Sequence, residues 1–144
     1  MTTTVAAVPT ADTDAVLDRA ARYLTRYGWT PTGLYDPHDG CTRKCACHRT
    51  GTYPANMLGA IRVAVFGHPR WYLDTATTAA QRHEYTAAVE WLNTYLIAHG
   101  HARLHAPVFD WQAAPGRTLT DVCDALHAAA VAYRRHHSSR RTAA

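Results

Sequence analysis

Pro54-Ala55-Asn56-Met57-Leu58-Gly59-Ala60-Ile61-Arg62-Val63-Ala64-Val65-Phe66 carries one charge, Arg62, and stops at Gly67 before His68-Pro69. Met57, Leu58, Ile61, Ala64 and Val65 recur within it at helical spacing. Proline is acceptable in a first helical turn, where its missing N–H has no intrahelical partner to lose. The stretch predicts a helix over 54–66, beginning near Thr52 to Ala55. A helix this apolar is central and must be covered on most sides.

The rest of the chain supplies the cover. Val16, Leu17, Ala20, Leu24 and Tyr27 repeat at helical spacing over 14–27, with Asp12 and Asp14 at the positive end and Arg22 and Arg26 at the negative end. Gly28 provides a left-handed stop, after which Trp29 folds back on Leu24. Thr78 and Gln81 match a capping box at the head of a helix over 79–98, with Tyr85, Ala88, Val89, Leu92 and Leu96 as its buried stripe and Gly100 as its end. Val108 to Trp111 reads as extended, and Pro115-Gly116 as a turn. Thr118, with Asp121 in the third position, caps a last helix over 119–134, where Leu119, Val122, Cys123, Leu126, Ala130 and Tyr133 share a face. The expected fold is all-α, a single domain of four principal helices over residues 1–133, with Trp29 and Trp111 at the ends of its core. Residues 1–12 fray, the 69–77 connection, with Trp71, Tyr72 and Leu73, lays its aromatics over the core, and 134–144 form a basic, disordered tail.

Between Trp29 and Thr52 there is no sustained period, and Pro31, Gly33, Pro37, Gly40 and Gly51 punctuate the stretch. Loops this long inside a compact domain are functional, disordered, or held by something. Three of the four cysteines lie here, in His38-Asp39-Gly40-Cys41-Thr42-Arg43-Lys44-Cys45-Ala46-Cys47-His48. The five soft or borderline ligands suit tetrahedral zinc, with Cys41, Cys45 and Cys47 as three of them. His38 is preferred as the fourth and His48 is second, because adjacent Cys47 and His48 strain to reach one ion. A set of four closes the site, so the zinc expected is structural; Arg43, Lys44 and Arg49 offset its thiolate charge. A reversible disulfide or unliganded packed thiols are the other readings. Cys123, on an apolar helix face, is a small core residue.

Net charge is +4, but Arg134, Arg135, Arg140 and Arg141 lie in the last eleven residues, which hold no acid. Residues 1–133 carry 11 basic and 11 acidic side chains and are neutral. No run approaches the roughly 18 apolar residues of a membrane span, and the N-terminus lacks a signal-peptide pattern, so a cytoplasmic protein with no membrane partner is expected. Free thiols or metal ligands are the usual state of cysteines in that setting.

Catalytic motifs are lacking. Ser138 and Ser139, the only serines, sit in the tail. There is no dinucleotide or phosphate-binding glycine loop, and His83-Glu84 fails the His-Glu-x-x-His pattern because Ala87 stands where the second histidine belongs. Cys47 beside His48 is a conceivable nucleophile, although adjacent residues rarely reach the geometry that activates a thiol. The spacing of His99, His101 and His105 suits no ligand face and reads as a solvated linker.

Asp110-Trp111-Gln112-Ala113-Ala114-Pro115-Gly116-Arg117-Thr118 and the helix after it resemble an uncharacterised family of small proteins from actinobacteria and their phages, domain of unknown function family 6197. Leu17 to Trp29 is similar to that family's opening helix and Gly-Trp stop, and Leu58-Gly59-Ala60-Ile61-Arg62 to its central helix. The resemblance implies a shared all-helical fold and such an origin, and no activity. Trp111-Gln112-Ala113 departs from the family's Trp-Asn-Asp, which puts any role of that carboxylate in doubt; the segment reads as a turn that seats Trp111 and caps the last helix. The function expected is a small non-catalytic binding or regulatory module that recognises another protein through its helical surface. The alternatives are weak nucleic-acid contact through the arginine tail, helped by Arg43, Lys44 and Arg49, and, behind it, a thiol-dependent enzyme.

Overall fold

A computed structural model describes residues 12–31, 33, 53–67, 78–99 and 107–142. Among the described residues five helices follow in order: α1 (Thr13–Tyr27), α2 (Met57–Phe66), α3 (Ala79–Ala98), α4 (Pro107–Gln112) and α5 (Leu119–Thr142). α1 packs most extensively against α5 and then α2, and α3 closes the bundle against α1, α2, α4 and α5. The all-α expectation holds. None of the described helices is long and apolar enough to cross a membrane.

Contacts along α1 and α5 fix their direction. Cys123 Sγ lies 3.5 Å from the Ala21 carbonyl and 3.4 Å from Thr25 Oγ1, His127 reaches Asp18, and Arg134 reaches Asp14. Rising numbers on one helix meet falling numbers on the other, so the pair is antiparallel. α3 is also antiparallel to α5: Tyr95 faces Asp121 to Ala128, while Trp91 donates its indole N–H to the Ala129 carbonyl at 2.8 Å and meets Tyr133 edge-on at 5.2 Å. The C-terminal ends of α1 and α3 thus gather around the start of α5.

The core joins Val16, Leu17, Ala20 and Leu24 of α1, Met57 to Ile61 of α2, Ala88, Leu92 and Leu96 of α3, and Val122, Leu126 and Ala130 of α5. Each fully buried leucine contributes on the order of 2 kcal/mol of transfer free energy. Cys123 is buried beside α1, as its apolar face predicts. Val63, Ala64 and Val65 are only partly buried, so the cover foreseen for the central helix is complete over its first half alone.

Both capping boxes form. Thr78 and Gln81 exchange side-chain and backbone bonds of 3.1 and 2.9 Å, and Thr118 and Asp121 exchange bonds of 3.2 and 3.0 Å. Gly28 takes the positive φ expected of a stop, 100°, but with ψ at 158°, so the chain leaves α1 extended. It enters a parallel bridge in which Thr30 N donates to the Ala55 carbonyl at 3.0 Å and Ala55 N to the Gly28 carbonyl at 3.1 Å.

Four expectations are corrected. α2 starts at Met57, not near Thr52 to Ala55, because the bridge holds Ala55 extended and Asn56 caps the helix by accepting from Gly59 N at 2.8 Å. Val108 to Trp111 is helical, not extended, with Pro107 at the first position where a missing N–H is harmless. α5 does not end near 134 but runs to Thr142, since no glycine or proline interrupts it. The supposed tail therefore begins inside a helix. Trp29 and Trp111 meet the same end of the core, because Trp29 Nε1 lies 3.5 Å from Oε1 of Gln112, the residue after Trp111. The 69–77 connection and residues 1–11 of the segment expected to fray lie outside the described residues, while Asp12 precedes α1 as its N-cap.

Candidate functional site

His38, Cys41, Cys45, Cys47 and His48 lie outside the described residues, as do His101 and His105. What is described is the base of their loop. The chain leaves the body at Thr30 and returns through Tyr53 to Ala55, two points bonded to each other in the Trp29–Ala55 bridge. Tyr53 is fully buried there and its carbonyl accepts the Tyr23 hydroxyl at 2.6 Å. Burial pushes the Tyr23 phenol up to about 12. Among the described residues no group of three or more His, Cys, Asp or Glu side chains could hold a metal ion. His99, read as linker, caps α3, with Nδ1 2.9 Å from the Tyr95 carbonyl and its ring tilted 31° against that of Tyr95 at 4.1 Å.

The same end of the bundle carries a cleft. Its walls are Tyr95 from α3, Trp111 from α4, Arg117 from the connecting turn and Asp121, Asp124, Ala125 and Ala128 from α5, around a volume of about 280 Å³. Each wall has a local cause. Gly116, at φ 82°, turns the chain so that Arg117 doubles back on α4: its Nε donates to the Trp111 carbonyl at 2.9 Å and its guanidinium lies 4.0 Å from the Trp111 ring centre. Asp121 is fixed by its capping bond to Thr118 N. Asp124, one helical turn later, projects on the same face. Alanine at 125 and 128 leaves the floor low. The cleft thus sets two carboxylates, a pinned guanidinium and two aromatic side chains around a space the size of one long side chain.

Gln112 anchors the cleft from behind. It is fully buried, and its Oε1 accepts Met57 N at 3.0 Å as well as the Trp29 indole, while Nε2 has no partner. This one amide ties α4 to the start of α2 and to the loop base. The position at which the chain departs from the resembled family's asparagine is therefore structural here.

A second polar group lies on the α1–α5 seam. Asp18 receives Arg134 at 2.9 Å and His127 Nδ1 at 2.8 Å, and Arg134 also reaches Asp14 at 3.4 Å. Partial burial raises the Asp18 carboxyl, but its hydrogen bonds to His127 and Arg134 and their charges outweigh this and hold it below the ordinary value. The Arg134 guanidinium is raised in turn, chiefly by its bond to Asp18. Arg134, assigned to the tail by the sequence, belongs to the body.

Sequence reasoning placed Trp111 and Thr118 but did not assemble the cleft. Tyr95 and Asp124 carried no motif, whereas Trp111 and Arg117 lie in the resembled block and Asp121 in a capping box.

Comparison with curated proteins and with solved structures returned no match. Residues 8–132 match the family of unknown function DUF6197, so the chain belongs to that family, as the three blocks of resemblance indicated.

Proposed function

For this member of the family we propose a small non-catalytic binding module that recognises another protein through the cleft end of its helical body. The observation that carries the reading is the cleft between α3, α4 and α5, where Tyr95, Trp111 and Arg117 stand beside exposed Asp121 and Asp124. Phe109, half-exposed on the short helix that supplies Trp111, adds apolar surface nearby. Aromatic and arginine side chains set among polar ones are the composition of protein-recognition surfaces.

The 31–52 loop, whose base the bridge closes beside Gln112, is the second part of the proposal. Its Cys41, Cys45 and Cys47, with His38 or His48, hold a structural zinc that orders the loop; the support is their type and spacing. Nucleic-acid association is the lesser reading, because Arg134 is paired to Asp14 and Asp18 and is held from contact with phosphates. Each such contact adds about 0.9 to the salt slope on duplex DNA, so binding is weak at physiological salt.

The test compares full-length protein with Ala128→Leu, which fills the cleft without changing charge, as baits in quantitative cross-linking. The reading expects a partner enriched on the wild type and lost from the variant. Partners captured equally by both baits, or tight DNA binding at physiological salt that Arg140→Ala/Arg141→Ala removes, would contradict it.

A further inference from the structure

The cleft has a charge and a shape, and together they select a class of ligand. Asp121 and Asp124 lie one turn apart on α5, both exposed, and no hydrogen bond or ion pair holds Asp124 among the described residues. Asp121 commits Oδ2 to Thr118 N and has a second oxygen to offer. Arg117 opposes them, but its Nε is committed to the Trp111 carbonyl and its plane to the Trp111 ring. It forms a wall and is not free to swing across and neutralise Asp124. The lining therefore has a net charge of one negative, with Tyr95 as an aromatic side wall and an alanine floor.

We propose that this cleft receives an arginine side chain of a protein partner. A guanidinium forks onto carboxylates through two parallel N–H···O bonds and packs its planar group against aromatic side chains, which matches Asp124 and the second oxygen of Asp121 in a cleft walled by Tyr95. Arg117 at the opposite wall donates its remaining N–H groups to the partner's backbone carbonyls, so the segment around the arginine is held as well as its head. Lysine presents the same charge without the fork or the flat face and is the poorer occupant. An acidic side chain meets two carboxylates and is excluded. Ala128 sets the depth: leucine there fills the space a guanidinium needs.

This rests on the protein-binding reading above and names the group recognised, so the test isolates that group. Uniformly labelled full-length protein is titrated with the tripeptides acetyl-Gly-Arg-Gly-amide, acetyl-Gly-Lys-Gly-amide and acetyl-Gly-Glu-Gly-amide while backbone and indole N–H shifts are followed. The expected result is saturable shifts at Arg117 to Ala128 and the Trp111 indole with the arginine peptide, several-fold weaker binding of the lysine peptide, and none of the glutamate peptide. Asp124→Asn, an exposed substitution that leaves the fold intact by circular dichroism, weakens the arginine peptide about tenfold, and Ala128→Leu abolishes its binding. Equal binding of the arginine and glutamate peptides, no saturable shift, or shifts untouched by both substitutions overturn the proposal. If a partner is nevertheless captured and lost with Ala128→Leu, the protein-binding reading stands and only the arginine assignment falls.

Discussion

Tyr23 and Asp18 hold α1 in place by different physics. Tyr23 is nine-tenths buried and donates its hydroxyl to Tyr53 across the loop base. Tyr23→Phe removes that hydrogen bond, at a cost of about 1–2 kcal/mol in chemical denaturation. The raised phenol also sets a pH window. Its folded value of about 12 exceeds the ordinary 10.0, so its contribution is whole below pH 10 and is lost as pH rises toward 12. Absorbance at alkaline pH should show a late tyrosine titration that is absent from Tyr23→Phe. Asp18 has the opposite sign. Its folded value lies below the ordinary 3.8, so its contribution is present above that pH and is lost as pH falls through the folded value. Asp18→Asn should therefore lower Tm at neutral pH, and the gap from wild type should close in acid. Neither role was legible in the sequence. Nothing marks Tyr53, set between Gly51 and Pro54, as core, and Asp18 finds Arg134 only once the helices pack.

At the scale of elements, legibility followed local chemistry. Thr78 with Gln81 and Thr118 with Asp121 announced two helices because a capping box satisfies backbone donors within four residues. The start of α2 was misplaced because the deciding bonds come from Gly28 and Thr30, far away in sequence. Asn56 became the cap, and Asn56→Ala should cost about 1 kcal/mol, measured as a lower denaturation midpoint. α4 is too short to show a period, and it is held by what it touches: Gln112 to Met57 and Arg117 to Trp111. The end of α5 was hidden by its arginines, which read as a solvated run although nothing between Leu119 and Thr142 breaks a helix.

For the whole molecule, the apolar periods made the bundle legible, while the cleft was not, because its walls come from three helices and a turn that meet only in the fold. The bundle brings the ends of α1 and α3, the start of α5 and the base of the cysteine loop to one end, and Gln112 bonds the loop base to the cleft's supporting helix. Zinc in the loop would stiffen that end, so metal analysis of untagged protein purified without added zinc should give about one equivalent, and Cys45→Ser should lower both metal content and stability. Near-zero metal with freely titrating thiols would remove the zinc. The central claim, recognition of a protein at the cleft, is tested most directly by hydrogen exchange on the full-length chain alone and with its cross-linking partner. Slower exchange concentrated in peptides covering Tyr95 and Trp111 to Ala128 is the predicted result. Protection confined to other surfaces, with these segments unchanged, would contradict it.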